Sequence, residues 1–415
     1  MNDSPSAPRP IRLLHVTTVP MTFIFLRGQI GFLRRHGIEA QLASSPTLPG
    51  EVVPAMDQND GSPVVHEVSM PRKITPFRDI LSLWRMVRLI RRLRPHIVHS
   101  HTPKGGLLGM LAATLARVPV RVYHLRGLAY VTLSRPKQAF YRIFEKISCG
   151  LAHQVICIGP SQRDQALEEG LCRPERILVL ARGGNGVDAR GRYDPAAVSP
   201  EQRLALRRQL GIPEDAVVAG FVGRLIRDKG VVQLEAAWQE LRHKHPDLHL
   251  LVVGPREARG AVPEEVLQRL EADPRAHLPG ATFDIAPYYA IMDLLVQPTL
   301  REGLPNAPME AAAMGKPVVA TRITGCIDAV VEGKTGLFVP PGDPEALAAA
   351  VGRYVEDPNL RREHGRAGRQ RILEDFRREK IWEELLAVYR QLLARAGQPL
   401  PEAGAPARAS EGAAP

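Results

Sequence analysis

The chain has few cysteines, and none stands at a spacing that would hold a metal. Cys149, Cys157, Cys172 and Cys326 are too sparse in 415 residues for a disulfide scaffold, so free thiols in a reducing compartment are expected. No stretch reaches the ~18 apolar residues of a spanning helix. No apolar run follows the first basic residue, as a secretory leader would require. Membrane contact is therefore expected to be peripheral, with the protein in the cytoplasm or on the cytoplasmic face of the membrane. Acidic charge is in deficit: 55 Lys and Arg stand against 44 Asp and Glu, a net charge of +11. That balance implies an anionic partner, whether a phosphorylated small molecule, an acidic membrane surface or nucleic acid. Nucleic acid is set aside, because the basic residues lack aromatic interleaving and match no binding motif. There is no shorter internal repeat.

What is present is a long alternation of apolar runs and helical patterns. Ile11–Val16, Glu39–Ala43, His96–Ser100, Val120–His124, Gln154–Ile158 and Ile177–Leu180 read as strands. Between them lie helical stretches, among them roughly Phe23–Arg35, a segment ending near Arg117, and Lys137–Gly150, while Ser161 is placed to cap another. The pattern restarts at Ala216–Val222 and continues through Leu248–Val253, Asp293–Gln297, Pro317–Ala320 and Gly336–Val339. Helices over about Pro344–Tyr354, Asn359–Glu374 and Lys380–Ala396 close it. Such βαβ alternation predicts parallel sheets covered by helices, and the length predicts two domains. Gly183–Asp188 reads as a hinge, since several of its residues tolerate positive φ.

Residues 78–94 are amphipathic. Ile80, Leu83, Trp84, Val87 and Ile90 share one face, and Arg85, Arg88 and Arg92 line its flank, with Arg72, Lys73, Arg78, Arg91 and Arg94 adding charge. This is either a helix covering a sheet with a solvated basic side, or a surface for anionic lipid head groups or a lipid diphosphate. Gly105, Gly106 and Gly109 lack the spacing of a dinucleotide fingerprint.

The segment Arg301–Glu310 is the densest in chemistry. A strand leads into it and an Ala-rich helix leaves it, with Asn306 as the expected N-cap and Pro308 in the first turn. Glu302 then stands at the carboxyl end of a strand and Glu310 near a helix start, whose free N–H groups suit a phosphate. Carboxylates beside a phosphate serve best as acceptors for hydroxyls of a sugar or ribose. Arg224 and Lys229, in a Gly-bounded loop after another strand, suit a diphosphate, and Gly254 turns at the same edge. Open parallel sheets bind ligands at that edge, so a nucleotide-sugar site is expected.

Phe221–Leu225 with Lys229–Gly230, Glu302–Glu310, Gly325–Gly336 and Pro340–Asp343 together resemble glycosyltransferase family 4, over roughly residues 11–395. Pro103–Gly106, Arg126–Leu128 and Asn185–Asp188 resemble its branch acting on polyprenyl-diphosphate-linked saccharides of capsule, exopolysaccharide and O-antigen. The resemblance implies a GT-B fold of two facing, doubly wound, Rossmann-like α/β domains with a C-terminal helix crossing back. It implies an acceptor domain over 10–187 plus 381–396 and a donor domain over 188–380, with closure about the hinge; 1–9 and 397–415 are expected to be disordered tails. It implies a retaining hexosyl- or N-acetylhexosaminyltransferase, working without metal or other cofactor, that moves sugar from a nucleoside diphosphate donor, uridine-based by expectation, to a lipid-linked saccharide. Arg224 and Lys229 would hold the departing diphosphate and Glu302 the donor sugar. Glu310 would bind the ribose, with Asn306, Gly303 and Gly254 lining the donor. Arg126 stands where many members carry His and, being permanently charged, serves as a substrate or phosphate contact rather than a base. His124 is the alternative at that place, and Lys104 and Thr18 belong to motifs shaping the acceptor side. A non-catalytic nucleotide-sugar or polysaccharide-binding module and a GT-B epimerase are the rival readings; donor hydrolysis or acceptor-free nucleotide release would distinguish them.

Overall fold

The computed structural model describes residues 10–47, 56–71, 73–258 and 260–400. The expected tail at 1–9, residues 401–415 of the expected tail at 397–415, and Arg72 of the basic segment lie outside the described residues.

The first sheet comprises β1 (Ile11–Val16), β2 (Ile38–Ser44), β3 (Val65–Glu67), β4 (Ile97–His101), β5 (Val120–Leu125), β6 (Gln154–Cys157) and β7 (Ile177–Val179), in the order β3-β2-β1-β4-β5-β6-β7. The second comprises β8 (Val217–Val222), β9 (Leu248–Val253), β10 (Ala276–Gly280), β11 (Leu294–Gln297), β12 (Val318–Thr321) and β13 (Gly336–Val339), in the order β10-β9-β8-β11-β12-β13. Neighbouring strands run parallel, for example β1 with β4 and β8 with β11. Both faces of the second sheet are buried, as parallel strands require. Val218, Leu251, Leu295 and Val318 enter one apolar cluster, and Ala219, Leu250, Val296 and Val319 the other. Each sheet changes winding direction once, at β1/β4 and at β8/β11, and such points open a crevice at the carboxyl ends of the strands.

By density of contacts the chain divides into two compact units. One holds 1–124, 147–155 and 382–415; the other holds 125–146 and 156–381. The last helix, Arg378–Arg395, enters the first unit at Trp382, whose ring lies 5.7 Å from that of Phe32. Its Tyr389 hydroxyl meets His99 Nδ1 at 2.6 Å. Among the described residues no helix is long and apolar enough to cross a membrane.

Several elements differ from expectation for local reasons. The helix expected over Phe23–Arg35 is two pieces, a 3-10 segment Pro20–Leu26 and an α-helix Gln29–Arg35. Gly28 separates them at φ 76°, and the carboxylate of distant Asp60 accepts from Gly28 N at 2.7 Å and Gly31 N at 2.8 Å. Ser161 is not the cap of its helix, because Gly159 takes that position. The Ser161 hydroxyl instead donates to Asp328 at 2.7 Å and accepts from Gly325 N at 2.8 Å. The edge strand β10, with Pro279 inside it, and the helices Pro200–Leu210, Glu264–Glu271 and Ala286–Ile291 were not anticipated. A proline inside a strand is tolerated at a sheet edge or a bulge.

The basic segment is a helix over Pro76–Leu93, packed beside the helix Pro103–Leu115. Ser82, Met86, Leu89 and Ile90 form its buried side. Phe77, Ile80, Leu81 and Trp84 face solvent, Phe77 at 90% exposure, and the Arg88 guanidinium lies 5.5 Å from the Trp84 ring centre. The expected single apolar face is thus split, with Ile80 and Trp84 outward and Ile90 inward.

Candidate active site

In the second unit, the loops leaving β8 and β11 flank the switch point and are stitched together. Leu300 N donates to Asp228 O at 2.8 Å, Thr299 Oγ1 to the same oxygen at 3.0 Å, and the Arg301 guanidinium to the Asp228 carboxylate at 2.7 Å. Lys229 ends a short 3-10 turn and forms an ion pair with Glu302. Gln297, the last residue of β11, donates to the same Glu302 oxygen at 3.1 Å. The Lys229 and Glu302 side chains keep only 18% and 11% of their surface, so the pair is partly desolvated yet reachable. Such a pair can part around a polar ligand, the ammonium turning to an anion and the carboxylate to hydroxyls.

Two glycines here are required by space. A Cβ on Gly254 would overlap the Gly223 carbonyl, and one on Gly303 would overlap the Arg126 carbonyl. The Glu302–Gly303 corner therefore packs directly on the Arg126–Gly127 turn. Arg126 donates to the Asn185 side-chain oxygen, and the Asn185 amide reaches Asn306 Oδ1 at 3.4 Å. Asn306 does not cap the following helix; it is the first residue of the helix Asn306–Ala313, and Pro305 holds the cap position. With no side-chain cap there, the first-turn N–H groups are not spent on the cap residue.

The remaining two expected contacts are engaged elsewhere. Arg224 is half exposed and pairs with Glu257 at 3.0 Å. Glu310 accepts from the Tyr289 hydroxyl at 3.0 Å. Burial raises the Glu310 pKa, against the opposing effects of hydrogen bonds from Tyr193 and Tyr289 and of Arg192; burial and Glu310 in turn raise that of Tyr289. Of Arg224, Lys229, Glu302 and Glu310, the structure brings only Lys229 and Glu302 into direct contact among the described residues. Gln297, Tyr289, Asp228 and Arg301 were not singled out by sequence reasoning as site residues. Asn185 was seen only within the glycine-rich stretch, where Gly183 and Gly184 do take positive φ.

In the first unit, Thr18 and Lys104 hold the chain together. Thr18 Oγ1 lies 2.7 Å from Thr102 Oγ1 and accepts from Gly105 N at 2.9 Å. It therefore satisfies an amide at the start of the helix Pro103–Leu115. Lys104 pairs with Asp79 at 2.6 Å and donates to the carbonyls of Pro71 and Lys73. His124 packs among other imidazoles, 5.4 Å from the His101 ring and 5.5 Å from that of His99.

Two family models match the chain, "Glycosyl transferase 4-like domain" over residues 26–183 and "Glycosyl transferases group 1" over 216–357. The capsular polysaccharide biosynthesis glycosyltransferase CapM of Staphylococcus aureus is 33% identical over 384 residues, covering 92% of this chain and 97% of that one. The UDP-Gal:alpha-D-GlcNAc-diphosphoundecaprenol alpha-1,3-galactosyltransferase of Escherichia coli is 27% identical, covering 70% of this chain and 74% of its own length. Among solved structures, Anabaena Alr3699/HepE in complex with UDP superposes with a TM-score of 0.72 at 20% identity, over 92% of this chain and all of that one. One-third identity along nearly the whole length of a capsular glycosyltransferase, two family models in tandem and two parallel α/β sheets agree: this chain belongs to glycosyltransferase family 4 and has the GT-B architecture.

Proposed function

We propose that the protein is a retaining glycosyltransferase that moves a sugar from a UDP-sugar to a polyprenyl-diphosphate-linked saccharide in surface polysaccharide synthesis. The observation that carries the donor half is the partly buried Lys229–Glu302 pair at the β8/β11 switch point, beside the start of the helix Asn306–Ala313. On this reading the diphosphate draws Lys229 away from Glu302 and recruits Arg224 from Glu257. Glu302, still oriented by Gln297, turns to the sugar hydroxyls. As the sugar–phosphate bond breaks, negative charge grows on the diphosphate against donors already in place, in the role a divalent cation would otherwise fill. Glu310, held by Tyr289, accepts from a ribose hydroxyl. The UDP complex of HepE supports the nucleotide, and the diphosphoundecaprenol substrate in the Escherichia coli relative's name supports the acceptor.

On the acceptor side we assign the first unit and, as its membrane contact, the outward face of the helix Pro76–Leu93. Phe77, Ile80, Leu81 and Trp84 would enter the head-group layer while Arg78, Arg85, Arg88 and Arg92 meet anionic phosphates.

A panel of nucleotide sugars with a polyprenyl-diphosphate-linked acceptor, read by NDP release and by the anomeric configuration of the product, tests the reaction. Acceptor-dependent release from a UDP-sugar with retention is expected. Release without acceptor, or inversion, would reject it. Replacing Arg85, Arg88 and Arg92 together by Glu should abolish binding to phosphatidylglycerol-containing vesicles; unchanged binding would remove the helix from the model of docking.

A further inference from the structure

The first sheet carries a block of imidazoles, three of which have no part in the reaction proposed above. His15 on β1 stands in register with His99 on β4, and His101 on β4 with His124 on β5. In-register neighbours on parallel strands point to the same face, and so do residues two apart on one strand. The four rings therefore share one side of the sheet, at the carboxyl ends of β1 and β4, where the winding direction changes. His15, His99 and His101 keep 1% of their surface or less. His15 Nδ1 lies 2.9 Å from His101 Nε2, and the His99 and His101 rings stack at 4.3 Å. One ligand nitrogen from each of the three lies within 4.8 Å of the other two.

We propose that His15, His99 and His101 form a binding site for a divalent transition metal of the zinc class, with His124 beside it. A zinc–imidazole bond is about 2.0–2.1 Å, which puts ligand nitrogens roughly 3.3 Å apart in a tetrahedron. Small side-chain rotations reach that from the present spacing. Neutral nitrogen ligands favour zinc, cobalt, nickel or copper over magnesium or calcium, which require oxygen. Whichever ring holds the proton between His15 Nδ1 and His101 Nε2 can carry it on its other nitrogen instead, baring both contact nitrogens with no net proton change. When His99 donates its Nδ1 proton to the Tyr389 oxygen, its Nε2 is the unprotonated ring nitrogen; outer partners of metal-binding histidines act in this way. The bound ion ties β1 to β4 beneath the last helix. It uses none of the residues assigned to the donor diphosphate.

The test is a Co²⁺ titration of the full chain, free of any affinity tag, followed by its visible ligand-field absorption. A band saturating at one equivalent and displaced by Zn²⁺ is expected. His99→Gln and His101→Gln should weaken binding at least tenfold. His249→Gln, altering the separate histidine pair with His277 in the second unit, should leave it unchanged. A wild-type titration with no saturable band would overturn the proposal, as would a band lost in His249→Gln and kept in His101→Gln. If the first two variants do not fold, as judged by circular dichroism, X-ray absorption of the cobalt-loaded wild type decides. Three or more imidazole ligands support the site, and fewer overturn it.

Discussion

At the switch point of the first sheet, between β1 and β4, the side chains are imidazoles and threonines, locked to one another and to the backbone. At that of the second, between β8 and β11, they are an ammonium and a carboxylate in one ion pair, with Gln297 and Asp228 holding the loops behind them. The topology is the same and the chemistry is opposite. A winding reversal supplies a crevice, but what the crevice binds follows from the loops grafted onto it. Partly buried charges can be exchanged for a charged ligand, whereas imidazole nitrogens suit a metal or a hydrogen-bonding group.

Substitutions on either side sharpen that contrast. The largest effect is expected for Lys229→Ala, which removes a cation aimed at the leaving group and should lower kcat by about 10²–10³. Thr18→Val, in the first sheet's crevice, should lower stability by about 1–2 kcal/mol by stranding the Gly105 amide, with a smaller effect on kcat; equal losses of kcat would erase the distinction. Glu310→Ala should remove most transferase activity, about ten- to a hundredfold, with the fold intact by circular dichroism. Near-normal turnover would detach Glu310 from the site and leave it as the partner of Tyr289. Gly303→Ala should cost about 1–3 kcal/mol in chemical denaturation, because its Cβ meets the Arg126 carbonyl.

The smallest effect concerns His249. Burial, His277, Arg275 and Arg207 push its pKa down to about 4. The unfolded chain therefore binds this proton more readily, so its contribution to stability is complete above about pH 6.5 and is lost as pH falls toward 4. His249→Gln should flatten the dependence of Tm on pH in that window, and an unchanged slope would place the acid sensitivity in other groups.

The strands were legible because a parallel sheet buried on both faces needs unbroken apolar runs, and Leu248–Val253 is such a run. The loop positions of Glu302 and Lys229 were legible because glycines and prolines mark those loops. Their pairing was not, since it depends on β8 and β11 becoming neighbours across the intervening β9 and β10. Asp60 closing the helix at Gly28, and Ser161 bonding Asp328 instead of capping, were hidden for the same reason: each partner is remote in the chain. The outward turn of Trp84 was missed because periodicity defines a helical stripe without saying what lies opposite it. Here the helix Pro103–Leu115 packs beside it, and Met86 and Leu89 are buried while Trp84 is exposed.

Local pattern alone decided that this chain would build parallel sheets, which loops would carry its polar groups, and to which family it belongs, because strand burial, turn chemistry and motif order are written within a few residues of one another. The tertiary structure decided the partners: Lys229 with Glu302, Arg126 with Asn185, Glu310 with Tyr289, and the imidazoles brought side by side from three strands. Those choices follow from strand order and packing, which join residues tens of positions apart and leave no trace in any single window of sequence.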